Sequence, residues 1–97
     1  MDALGWIDPC SPTTEWDRAQ VRRLARRLGY PLRRADPASA LGLVEQVESS
    51  GADVVLLSSS AHVDAVTLDR LMSVADVECA VPRASFGRWP ALGGGLR

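Results

Sequence analysis

The chain has 97 residues, 46% hydrophobic and 24% charged, the make-up of one small globular domain with no room for a catalytic domain beside a separate DNA-reading one. A chain of this length buries roughly 60 to 70% of its unfolded surface, so its expected stability is modest and self-association would add to it. The net charge of −1 argues against a generic polyanion binder, and the longest aliphatic run, Val54-Val55-Leu56-Leu57, falls far short of the roughly 20 residues that cross a bilayer.

The opening Met1-Asp2-Ala3-Leu4 lacks the basic and long apolar segments of a secretion signal, so a cytoplasmic location with Cys10 and Cys79 reduced is expected. Every basic residue is arginine, and the lysine-free, alanine-rich composition is that of a chain from a GC-rich bacterial genome. Seven arginines (18, 22, 23, 26, 27, 33 and 34) lie between Trp16 and Arg34. With Asp17 that segment carries +6 and the remainder −7.

In chain order, residues 3 to 8 read as a short strand stopped by Pro9 and Pro12. From Glu15 to Leu28, Val21, Leu24, Ala25 and Leu28 share one helical arc while Arg18, Arg22, Arg23, Arg26 and Arg27 lie opposite, with Thr13 or Thr14 as cap and Gly29 as terminator. Residues 30 to 35 predict a second strand, placed at an edge because Pro31 has no N–H to give a ladder. Asp36-Pro37 reads as the start of a second helix reaching about Ser50, with Leu41, Val44 and Val47 buried and Gly51 as stop. Residues 52 to 58 are apolar on both faces, as a central strand covered on both sides requires. A third helix is expected from about His62 to Val74, with Val63, Val66, Leu71 and Leu68 inward and Ser59 or Ser60 as a possible cap. Residues 76 to 81 form a fourth strand in which Glu78 opposes Val77, Cys79 and Val81, marking the other edge.

Alternating strands and helices predict an α/β fold: a three-layer, four-strand parallel sheet of order 2-1-3-4 with three crossover helices, flavodoxin-like in its winding. The domain is expected over residues 1–82, and residues 83–97, with Trp89-Pro90 and Gly93-Gly94-Gly95, as a partly docked or flexible tail.

In such a sheet a site forms beyond the carboxyl ends of the strands, where the chain winds off in opposite directions, here between the first and third strands. Asp8, Cys10 and Ser11 arrive there from one side and Ser58, Ser59, Ser60 and His62 from the other, an inventory for nucleophilic catalysis by Cys10 with His62 and Asp8. The same residue types also cap and turn loops. Pro9 and Pro12 remove phosphate-binding N–H donors and no glycine stands in that loop, so no nucleotide cofactor is expected. One histidine and two distant cysteines give no metal-ligand spacing. Cys10 and Cys79 belong to strands about two spacings (~9.6 Å) apart, beyond disulfide reach. Arg18, Arg22 and Arg26 form a stripe that serves either as a solvated face or as a grip on nucleic-acid phosphates. Trp89 is a further candidate for partner binding, or a cover for a sheet edge.

Gly5-Trp6-Ile7-Asp8-Pro9-Cys10-Ser11, Gln20-Val21-Arg22-Arg23-Leu24, Leu28-Gly29-Tyr30 and Gly51-Ala52-Asp53-Val54-Val55-Leu56-Leu57 resemble the catalytic domain of serine recombinases of the resolvase and invertase type, over about residues 3 to 81. In that family the first strand ends in a pattern like Tyr-x-Arg-Val-Ser, whose serine attacks DNA phosphate and whose arginine stabilises the charge. The matching positions here hold Asp8 and Cys10. The family's Leu-Asp-Arg-Leu-x-Arg after the third strand is replaced by Ser60-Ala61-His62-Val63-Asp64-Ala65, without either arginine. Phosphoryl transfer needs positive groups aimed at the oxygens that gain charge, so the resemblance implies the scaffold without the recombinase activity. The expectation is a non-catalytic, resolvase-like module that binds a protein or itself. A small cysteine-dependent hydrolase or transferase and a sequence-independent nucleic-acid binder are the alternatives.

Overall fold

Residues 2–89 are described by a computed structural model of the chain. The apolar run becomes β3 (Val54–Leu57), with all four residues buried, because both of its faces are covered. It pairs in parallel with β1 (Ala3–Trp6) and with β4 (Asp76–Cys79). On the far side of β1 lies β2 (Leu32–Arg34), again parallel.

Helix α1 (Thr14–Leu28) covers one face of this sheet, packing Val21, Leu24 and Ala25 on Ala3, Val54 and Leu56. Helices α2 (Leu43–Ser50) and α3 (Ala65–Met72) cover the other, where Val44, Val47 and Leu71 meet Leu4, Val55, Leu57, Val77 and Cys79. The alternation of β3 explains the division, since successive side chains leave opposite faces of the sheet. Gly5 lets α1 approach β1: a Cβ there would stand 3.0 Å from Val21 Cγ1 and 3.2 Å from Leu32 Cδ1. Gly29 and Gly51 end α1 and α2 at φ of 77° and 69°, left-handed values that a side chain would strain.

The sheet has five strands, in the order β2-β1-β3-β4-β5, rather than four. The additional β5 (Ala84–Phe86) runs antiparallel against β4, so β4 is an interior strand and not the expected edge. Part of the expected tail is therefore sheet. Its backbone gains side-chain support: Arg83 Nη1 donates to Glu78 Oε1 at 2.7 Å and to the carbonyls of Cys79 and Ala84. Glu78 thus faces a partner rather than open solvent. The Val81–Pro82 peptide bond is cis. Pro90 and the three glycines lie outside the described residues.

The second helix starts six residues later than Asp36-Pro37 suggests, with Gly42 as its cap residue. Asp36 instead closes a turn, its carboxylate accepting from Ala38 N–H and its backbone N–H donating to Gln46 Oε1, while Gln46 Nε2 donates to the carbonyls of Asp36 and Leu41. One glutamine side chain holds these backbone groups in a loop, and Leu41 is left exposed rather than buried. The third helix is likewise split. Ser60–His62 is a 3-10 turn capped by Ser59, and α3 begins after Asp64, whose carboxylate accepts Thr67 N–H at 2.7 Å. That shift turns Val66 outward, where it is 70% exposed.

Candidate functional site

Trp6 pairs with Leu57 and Leu57 with Cys79, so β1, β3 and β4 end level and deliver their loops to one border of the sheet. The loops after β1 and β3 meet there over a group absent from the expected inventory, Asp17. It sits in the first turn of α1 and is 1% exposed. Ser11 Oγ donates to its Oδ2 at 2.5 Å, Ser58 Oγ to its Oδ1 at 3.0 Å, and Thr13 Oγ1 to the same oxygen at 3.4 Å. His62 Nε2 stands 4.0 Å from Oδ1.

A buried carboxylate keeps its charge only if the surroundings replace the lost water. Burial alone pushes the Asp17 pKa up, but the hydroxyls of Ser11 and Ser58, the attraction of a protonated His62 and the Thr13 hydroxyl together leave it below the ordinary value. The positive end of the α1 dipole acts in the same direction. Chemically, the hydroxyls are spent on the carboxylate. A Ser-His-Asp relay requires the hydroxyl to donate to imidazole, whereas here Ser11 and Ser58 both donate to Asp17. The Nδ1 of His62 is buried and has no hydrogen-bond partner.

The residues singled out for nucleophilic chemistry are distributed otherwise than that chemistry requires. Asp8 closes a turn, its Oδ1 accepting Cys10 N–H at 2.9 Å and its carbonyl accepting Ser11 N–H. Cys10 is exposed, and among the described residues its sulfur makes no hydrogen bond. The acidic neighbour of His62 is Asp17 and not Asp8. Among the described residues, no arginine forms a hydrogen bond or ion pair with Asp8, Cys10, Ser11, Asp17, Ser58 or His62. The arginines that do form such bonds go elsewhere: Arg18 to Glu15, Arg33 to Asp2 and the Ser50 carbonyl, Arg70 to Glu45, and Arg83 to Glu78 and β5.

On the α2 and α3 side of this border an open cleft of about 360 Å³ is lined by Trp6, Gly42, His62, Thr67 and Arg70, among others. Arg70, in its lining, donates to Glu45 at 3.1 Å, joining α3 to α2.

The arginines of α1 are divided between two flanks, and Arg22 and Arg26 of the expected stripe stay together. Arg22 and Arg26 line a groove of about 470 Å³ together with Ala25, Tyr30, Leu32 and Arg34, on the side of edge strand β2. Arg23 and Arg27 stand on the other flank, near Ala80 and Arg83. Arg18 is set apart from both by its ion pair with Glu15 at 2.9 Å. Trp89 is held against α3, its indole N–H donating to Asp69 Oδ1 at 3.1 Å and its backbone N–H to the Met72 carbonyl at 2.7 Å, with half of its surface still exposed.

Two of these groups escaped the sequence reading although each left a signal. Asp17 lies one turn before Val21 on the arc continued by Leu24 and Leu28, so a carboxylate interrupts an otherwise apolar stripe. Arg34 lies two residues after Leu32, so strand alternation carries both to the face that α1 covers.

Among the described residues, no group of three or more His, Cys, Asp or Glu side chains is placed to hold a metal ion, and no helix is long and apolar enough to cross a membrane. Comparison with protein-family models, curated proteins and solved structures finds no match to the chain.

Proposed function

We propose that this chain is a non-catalytic binding module on a resolvase-like α/β scaffold, acting through contacts with another protein. The observation that carries the reading is the use made of the polar residues at the strand ends. Ser11 and Ser58 donate to the buried Asp17, and Cys10 stands exposed, its sulfur in no hydrogen bond with a base among the described residues. A nucleophile needs a base within hydrogen-bond reach, and phosphoryl transfer needs cations at the reacting centre. Meanwhile Arg22, Arg26 and Arg34 stand exposed on the outer surface, without an acidic partner among the described residues. The run β2-β1-β3-β4 within the sheet is consistent with the resolvase likeness.

A photoreactive amino acid placed at Arg26 and, separately, at Glu48 on α2 tests the reading in cells. Reproducible adducts of one mass at position 26 and not at position 48 are expected. Absence of adducts from both positions, or alkylation of Cys10 much faster than that of a model thiol, would overturn it.

A further inference from the structure

Resting on the binding-module reading, we infer that the outer edge of β2, together with the groove beside it, receives an extended acidic segment of the partner protein as an added sheet strand. The backbone sets this up. Pro31 carbonyl accepts Ala3 N–H at 3.0 Å, and Ala35 N–H donates to the Gly5 carbonyl at 2.8 Å, so the main-chain groups of residues 31, 33 and 35 point toward β1. By strand alternation the N–H and C=O groups of Leu32 and Arg34 point the other way, off the edge. β2 is an outermost strand, and among the described residues neither of those two N–H groups has a partner outside the sheet. Such an edge is a template for another strand.

The side chains say which strand. Leu32 and Arg34 rise on the α1 face and line the groove together with Arg22, Arg26, Ala25 and Tyr30. Three arginines without carboxylate partners among the described residues share this groove, and a strand bringing a carboxylate to every second position would supply those partners while placing its other side chains on the opposite face. A second copy of this chain does not fit, since antiparallel pairing of β2 with β2 would set Arg33 against Arg33 or Arg34 against Arg34, according to register, and bring no carboxylate to the groove arginines. Nucleic acid is disfavoured on the backbone side. The edge alternates donors with acceptors, as a peptide does, whereas the sugar-phosphate chain presents chiefly acceptors there.

The test titrates the full chain with a short capped peptide alternating glutamate and valine. Controls are the same peptide with lysine for glutamate and an oligothymidylate. Amide resonances and hydrogen exchange are read. The acidic peptide should bind, slow exchange at the Leu32 and Arg34 amides, and weaken as salt is raised. Arg22→Glu with Arg26→Glu, both at exposed positions, should lower affinity about tenfold or more without changing the circular dichroism spectrum. Arg34→Pro, which removes an outward N–H that β1 does not use, should lose more affinity than Arg34→Ala. Equal binding of the lysine peptide, tighter binding of the oligonucleotide, a dimer joined through β2, or unchanged exchange at Leu32 and Arg34 would each overturn the inference. If cross-links form at Arg26 while the peptide leaves those two amides unprotected, the binding-module reading stands and strand addition falls.

Discussion

Replacing Asp17 by alanine withdraws one acceptor from three hydroxyls at once. Ser58 is as buried as Asp17, so water has no route to its hydroxyl, while Ser11 is half buried. The bonds from Ser11 and Ser58, at 2.5 and 3.0 Å, carry most of the effect, and the 3.4 Å contact from Thr13 adds little. A hydrogen bond to a charged group contributes about 1.5–3 kcal/mol, so the expected loss for the two bonds is about 3–6 kcal/mol. That is a large part of the total of about 5–15 kcal/mol for a chain of this size. Because folding lowers the Asp17 pKa from its ordinary 3.8, its stabilisation is complete at pH values above 3.8 and is lost as pH falls through the folded-state value. The difference in stability between wild type and Asp17→Ala should therefore be flat near neutral pH and narrow in strong acid. Asp17→Asn, which keeps an acceptor and the shape, should cost less and lack that pH-dependent part. Urea unfolding followed by tryptophan fluorescence, repeated from neutral to strongly acid solution, measures all three chains. An alanine variant within about 0.5 kcal/mol of wild type at neutral pH, or a difference that persists unchanged in acid, would refute the reasoning.

Gly5→Ala should destabilise by about 1–3 kcal/mol in the same assay, because the new methyl meets Val21 and Leu32 between two packed layers. Leu71→Ala, at a fully buried site between α3 and the sheet, should cost about 2–5 kcal/mol; a smaller loss would mean that this layer collapses readily. Thiol titration with a disulfide reagent should label Cys10 at once and Cys79 only on unfolding, since burial and the neighbouring Glu78 raise the Cys79 thiol pKa against the opposing pull of Arg83. Arg83→Ala should speed hydrogen exchange across Ala84–Phe86 more than in α1, because that guanidinium supports the turn into β5. Uniform acceleration would show instead a global loss of stability.

Much of the architecture is legible in the sequence because period and terminators agree. The Val54–Leu57 run, the α1 arc from Val21 to Leu28 and the glycine stops at 29 and 51 each have one physical solution. The misreadings arise where a side chain far along the chain decides a local outcome. Asp36-Pro37 has the form of a helix start, yet Gln46, ten residues on, holds that segment as a loop. Val66 fits an inward helical spacing only if α3 starts at His62, and the Asp64 cap moves that start. Ala84–Phe86 is too short to show an alternating pattern, and it is sheet because of Glu78 and Arg83. At the strand ends, sequence order brought the correct loops together. It did not reveal that Asp17, from the helix between them, would take up their hydroxyls.

The antiparallel closure by Ala84–Phe86 also bears on how the polypeptide matures at the ribosome. Until those strand residues have emerged, the nascent sheet ends in a raw parallel border at Asp76–Cys79, with the outward backbone groups of that strand unpaired. Fragments stopped at Pro82 should consequently associate through that border where longer ones do not. The turn into β5 works as a hem, sewn on after the cloth is woven.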